Sequence, residues 1–233
     1  MYFLSRIVDL CIDFLFPKSR KVLELEALSI DTIIKTLPPA NFARSKDSFV
    51  ESKAECQKNK DIIALFDYSH PVVKEIVWKL KYNGNARIAD KLGEILYDHI
   101  QQEFLDLALF EKWGRPILIP IPISDKRRFE RGWNQSELLC EQIMAHDNEK
   151  TFRYLPRRLV KLYHTESQTK TSSRSERLKN IKNSMKVLNA PAIIGECIVV
   201  LDDVTTTGST FVEAKRVLHA AGAKKILCVA VAH

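Results

Sequence analysis

The chain reads as one α/β domain with an appendage, built on a central parallel sheet flanked by helices. Three observations predict this. At 233 residues it is long enough to bury a core without disulfide or metal staples. Ile198, Val199, Val200 and Leu201 form a run of four apolar residues, the pattern of a strand buried on both faces as in a parallel sheet. That run stops at two carboxylates, Asp202 and Asp203, and a hydroxyl-rich turn then leads into a segment with Phe211, Val212, Ala214, Val217, Leu218 and Ala221 at helical spacing.

Residues 1–60 form the appendage and residues 61–233 the domain. The opening MYFLSRIVDLCIDFLF is interrupted by Arg6, Asp9 and Asp13 too early for a signal peptide. Its apolar spacing fits an amphipathic docking helix ended by Pro17. Residues 21–37 carry a weak helical pattern closed by Pro38-Pro39, and residues 41–60 suit a loop or linker. From Ile62 the sequence predicts a strand, IIALF, then a helix introduced by His70-Pro71 with Val72, Val73, Ile76, Val77 and Leu80 on one face. A second helix takes Ile88, Leu92, Ile95, Leu96 and Ile100 inward. Residues 116–123, PILIPIPI, predict a buried strand closed by Pro120 and Pro122. Residues 226–232 make a last buried strand, after a helix capped by Gly222.

The composition, 45% hydrophobic and 28% charged, is that of a globular chain, and no stretch is long and apolar enough to cross a bilayer. Five scattered cysteines with no C-x-x-C pair point to reduced thiols and a cytoplasmic setting. The formal charge of +7 points to anionic partners, phosphorylated small molecules or nucleic acid. Residues 151–186 alone hold ten cations against two acids, a net +8. Within them TESQTKTSS has no periodicity and reads as a mobile loop. It could close over a phosphorylated substrate or face single-stranded DNA.

The densest chemistry follows Leu201. A helix amino terminus presents unpaired N–H groups and a partial positive charge, so Val204, Thr205, Thr206, Thr207, Gly208, Ser209 and Thr210 form a candidate phosphate cradle. Asp202 and Asp203 would repel a phosphate and suit the vicinal hydroxyls of a neighbouring sugar. A plain capped helix start is the alternative for such a turn. Beyond residue 123, Lys126, Arg127, Arg128 and Arg131 lie at the same predicted sheet edge, where guanidinium groups can hold a diphosphate. A solvated charged turn is the alternative there.

Four segments together resemble the ComF/GntX family of phosphoribosyltransferase-like proteins: VWKLKYNG (77–84), IPIPISDKRRFERGWNQSELL (119–139), RRLVKLYHTESQTKTSSRSERLKNI (157–181) and VVLDDVTTTGST (199–210). The resemblance implies a type I phosphoribosyltransferase fold and a ligand, phosphoribosyl diphosphate (PRPP), carried with Mg²⁺. It implies Asp202 and Asp203 on the ribose hydroxyls and residues 204–210 around the 5′-phosphate. Lys81, Arg131 and Gln168 match recurring polar positions, and with Arg128 and Arg174 they are the expected diphosphate and closing-loop group. It also implies a link with DNA uptake and the competence machinery, so a non-catalytic module that binds single-stranded DNA or senses PRPP stands beside an enzyme with an unknown nitrogen acceptor. Family members carry paired zinc-ribbon cysteines after a Phe-Pro element. Here Phe16-Pro17 is followed by KSRKVLELEALSI, so no structural zinc is expected.

Overall fold

The computed structural model describes residues 32–33, 36–40, 62–110, 113–162 and 183–233. The expected amino-terminal docking helix, the linker over 41–60 and the loop over 165–173 lie outside them. Five strands form the central sheet: β1 (Ile62–Phe66), β2 (Ile117–Pro120), β3 (Arg153–Tyr154), β6 (Cys197–Val204) and β7 (Lys225–Ala232). Their order is β1-β7-β6-β2-β3 and every pairing is parallel. The predicted central strand is thus the middle one, with Pro120 opposite Leu201 on one side and Asp202 opposite Ala230 on the other. All strands point the same way, so the loops after β1, β2 and β6 open at one edge.

Among the residues described from 62 onward the α-helices are α1 (Pro71–Asn83), α2 (Ala86–Phe110), α3 (Asp125–Arg131), α4 (Gln135–His146) and α5 (Ser209–Ala220). Alternation along the strands builds two cores. Val199 and Leu201 of β6 join Leu227, Val229 and Val231 of β7 beneath residues of α1, α2 and α4. Ile198 and Val200 join Ile226, Cys228 and Ala230 on the opposite face, against Phe211, Ala214, Val217 and Leu218 of α5. Helices α2 and α4 meet closely at Gly93, where a Cβ would lie 2.4 Å from Cβ of Gln142. Only glycine permits that approach.

The strand expected over residues 116–123 is shorter than its apolar run. It ends at Pro120, although Ile121 N still donates to Leu201 O at 2.8 Å. Prolines at 120 and 122 remove the donors that a longer ladder would need. Pro38-Pro39 ends the helical turn containing Ile33, and this segment continues as an edge contact. Asp67 N donates to Pro38 O and Ala40 N to Leu65 O, both at 3.0 Å. Ile33 and Leu37 are buried in the core that also contains Ile76, Ile88 and Leu92. The basic segment starts with β3 of the central sheet and carries an antiparallel ribbon that periodicity does not reveal, β4 (Leu159–Lys161) with β5 (Met185–Val187). Each strand has only three residues, too few to show a period. Buried Glu213 of α5 pairs with Arg216 and accepts from the backbone of Asn183 and Met185, tying β5 to that helix.

Candidate active site

The turn after β6 holds the feature on which the sequence argument rests. Gly208 adopts φ +70°, ψ −1°, a left-handed conformation that favours glycine, and α5 starts immediately after it with no capping side chain on that residue. Ser209 is buried, and its Oγ lies 2.6 Å from Oγ1 of Thr207. Thr207 Oγ1 also lies 3.5 Å from the Ser209 N–H, at the limit of a hydrogen bond. Thr206 is exposed, and Val204 and Thr210 face a cleft at the sheet edge. Thr205 departs from the expected cradle. Its N–H donates to Ala232 O at 2.9 Å and the residue is buried, so it extends the sheet pairing and has no amide left for an anion.

The two carboxylates are held by three elements. Asp202 Oδ1 accepts from Ser136 Oγ of α4 at 3.1 Å and from the Asp203 N–H at 2.9 Å. Asp203 Oδ1 accepts from the Val204 N–H at 2.8 Å, while Oδ2 faces Lys81 Nζ of α1 at 3.1 Å. Burial, reinforced by the charge of Asp203, pushes the Asp202 carboxyl up to about 7, against the opposing effects of the Asp203 N–H, Lys81 and Ser136. The Asp202 carboxyl therefore titrates near neutrality.

A cleft of ≈ 520 Å³ runs from these carboxylates along the strand ends. Lys74, Lys81, Arg127, Arg131 and Lys161 line it with Asp202 and Asp203, five cations against two acids. Desolvation, and then the charge of Arg127, lowers the Lys161 pKa, while Asp202 raises it. The residues of RGWNQ brace this wall. Trp133 Nε1 donates to Leu80 O at 2.9 Å, Asn134 Nδ2 to Ile121 O at 2.9 Å and Gln135 Nε2 to Lys81 O at 3.3 Å. These bonds fix the end of α1 and the loop after β2 on the start of α4.

No family model matches the chain. The DNA utilization protein YhgH of Salmonella typhi is 30% identical over 173 residues, covering 71% of this chain and 68% of the relative. Competence protein F of Haemophilus influenzae is 29% identical over 47% of this chain and 46% of its own length. Competence protein ComFC of Bacillus subtilis is 27% identical over 63% of this chain and 53% of its own. The chain belongs to the family of YhgH and the ComF competence proteins. Among solved structures, a hypoxanthine phosphoribosyltransferase of Trypanosoma cruzi aligns at 13% identity and TM-score 0.35, covering 68% of this chain and 64% of that one.

Within this ComF-family domain, the structure brings Lys81, Arg131, Asp202, Asp203, Val204 and Thr210 to one cleft. Arg128, expected with the diphosphate group, pairs instead with Glu137 of α4, and Arg127 is the neighbour that lines the cleft. Of the cluster Lys126, Arg127, Arg128 and Arg131, only Arg127 and Arg131 line the cleft, because a seven-residue helix turns consecutive side chains in different directions. Gln168 and Arg174 lie outside the described residues. Sequence reasoning missed Lys74, Trp78, Tyr82, Ser136 and Lys161. For α1 the signal was present: Lys74, Trp78, Lys81 and Tyr82 recur at three- and four-residue steps beside the apolar stripe of Val73, Ile76, Val77 and Leu80. For Ser136 and Lys161 no local pattern gave a signal. Among the described residues no group of three or more His, Cys, Asp or Glu side chains could hold a metal, and no helix is long and apolar enough to cross a membrane.

Proposed function

We propose that the cleft binds PRPP and transfers its phosphoribosyl group to a nitrogen acceptor. One observation carries this reading: an uncapped helix start, two adjacent carboxylates and five cations share the carboxyl edge of a single parallel sheet. In this reading the turn 206–210 and the first amides of α5 hold the 5′-phosphate. Asp202 and Asp203 accept hydrogen bonds from the ribose hydroxyls. Lys81, Arg127, Arg131 and Lys161 hold the diphosphate and stabilise it as the bond to ribose C1 lengthens. The nitrogen nucleophile bonds to C1 as the C–O bond breaks, and the diphosphate leaves with the electron pair. Positive charge that develops on the ribose lies beside the two carboxylates. The remaining contribution is alignment of the reacting atoms.

The donor set fits Mg²⁺ carried in on the diphosphate, because the chain offers two adjacent carboxylates and otherwise cations at this edge. Bound there, the ion would neutralise diphosphate charge, with Asp202 or Asp203 its nearest protein oxygens. The names of the relatives favour a second reading, a role in DNA uptake or utilisation, supported in this chain by the net +8 of residues 151–186. In that case the cleft serves as a PRPP sensor beside a single-stranded DNA surface in a cytoplasmic protein.

Calorimetric titration of the full chain with PRPP and Mg²⁺, in parallel with D202N/D203N, tests the proposal. Saturable heat is expected in the wild type and its loss in the double variant. No heat in the wild type, or equal binding in both, overturns it. Diphosphate release on adding candidate bases then separates the enzyme from the sensor.

A further inference from the structure

Helix α1 has a buried stripe and an aromatic one. Val73, Val77 and Leu80 are at most 1% exposed, whereas Trp78 is 46% and Tyr82 52% exposed. Exposed aromatic rings this large forgo burial that a domain of this size could provide. The two rings are neighbours, with centroids 5.2 Å apart and planes inclined at 39°. The Arg131 guanidinium lies over Tyr82 at 5.2 Å, and Lys79 Nζ over Trp78 at 5.7 Å, so cations flank both. Both rings line the cleft that contains Asp202 and Asp203.

We propose that Trp78 and Tyr82 are the stacking platform for a planar nitrogen heterocycle, the acceptor half of the cleft. The inference rests on the reading that Asp202 and Asp203 hold the ribose of PRPP. A ring nitrogen must reach ribose C1, so the acceptor has to lie in the same cleft as the carboxylates, and this aromatic pair is there. An aromatic platform takes any base through its π face, and the neighbouring cations favour rings bearing carbonyl oxygens or electron-rich faces. Arg131 has a place in both halves, beside Tyr82 and on the wall assigned to the diphosphate. The heterocycle can be a free base or a base of a single strand, since the stacking chemistry is shared.

Tryptophan fluorescence of the full chain, with and without PRPP and Mg²⁺, tests this. The difference between wild type and W78F isolates the emission of Trp78. Ligands are free adenine, guanine, hypoxanthine and uracil, a thymidine oligonucleotide and an abasic oligonucleotide of equal length. Saturable quenching of Trp78 by at least one base-bearing ligand is expected, with none from the abasic strand. Calorimetry with that ligand should show W78A and Y82A at least about fivefold weaker and W78F restored, as loss of one stacked ring implies. Quenching by a free base identifies a soluble acceptor, and quenching by the thymidine strand alone identifies a nucleic-acid base. Unchanged Trp78 emission with every ligand, or W78A binding as tightly as wild type, overturns the platform even where PRPP heat is intact. Base quenching that persists with no PRPP heat in the wild type keeps the platform and overturns the donor reading.

Discussion

Besides α1, which starts at Pro71 with no side-chain cap from His70, three helices begin at the carboxyl edge of the sheet, and their starts differ. Helix α3 is closed by Ser124, whose side chain accepts from the Arg127 N–H at 3.4 Å. Helix α4 is closed by Asn134, which accepts from the Ser136 N–H at 3.1 Å and donates to Ile121 O at 2.9 Å. Helix α5 begins at a glycine that can supply no side chain. In the first two, the chain completes its own hydrogen bonding and positions the wall of the cleft. In the third, the Ser209 N–H reaches only Thr207 Oγ1, at 3.5 Å, and the N–H groups that follow are left for something else. Helices α3 and α5 both follow a strand and a turn, so between them the cap residue separates bracing from binding.

The sharpest way to break that contrast is G208V. The added Cβ would lie 3.4 Å from Ile62 Cδ1, ordinary contact, so the cost arises from a β-branched residue at φ +70°. Strain of about 1–3 kcal/mol in the turn should weaken PRPP by up to about a hundredfold. Calorimetry beside a urea unfolding curve checks this. A loss of stability with PRPP affinity intact would place the anion elsewhere.

The converse lesion is N134A, the next largest effect. It leaves the Ile121 carbonyl and the Ser136 N–H without their partner in a buried site, a cost of about 2 kcal/mol in unfolding free energy. S124A should cost about 0.5–1 kcal/mol, because its capping bond is long and the site less enclosed. Urea midpoints at constant m-value measure both. If S124A lowered PRPP affinity as much as G208V, the distinction between capped and uncapped starts would fail.

Arginines 127 and 128 sharpen the same comparison within one short helix. Loss of Arg127 from the cleft wall should weaken PRPP about tenfold, as removal of one charge-assisted contact does, with R128A changing it less than about threefold. Equal losses would show that Arg128 leaves Glu137 when the ligand binds.

The uncapped start was legible because everything it needs is contiguous. A buried strand, two acids, a glycine and a helical repeat occupy Cys197 to Ala220, and each has a local period or a local steric reason. The braced wall was not legible, because its contacts join residues far apart in sequence. Lys81 and Asp203, or Ser136 and Asp202, meet only after α1 and α4 pack on β6. The neighbouring arginines failed for a third reason: the chemistry of Arg127 and Arg128 is identical and only helix phase assigns one to the cleft and the other to Glu137. Trp78 and Tyr82 sit between these cases. Their helical spacing was visible, but aromatic residues beside an apolar stripe read as core until exposure is known.

The carboxylate pair extends the contrast to stability, with the smallest effect. Capped starts stabilise the fold, whereas Asp202 is a partly buried acid beside a buried one. Its carboxyl is pushed up to about 7 in the folded chain, from an ordinary value of 3.8. The folded state therefore holds this proton more tightly than the unfolded state. The stabilising contribution is fully present below about pH 4 and is lost as pH rises through 7. Replacing the acid by a neutral isostere removes that loss. Thermal unfolding of D202N should match wild type near pH 4 and exceed it at pH 8 by on the order of 1 kcal/mol, about 3 °C for a chain of this length. Its PRPP heat should fall at the same time. A variant less stable than wild type at pH 8 would mean that the Lys81 ion pair and the Ser136 bond outweigh burial and repulsion. The pair would then belong with the braced starts.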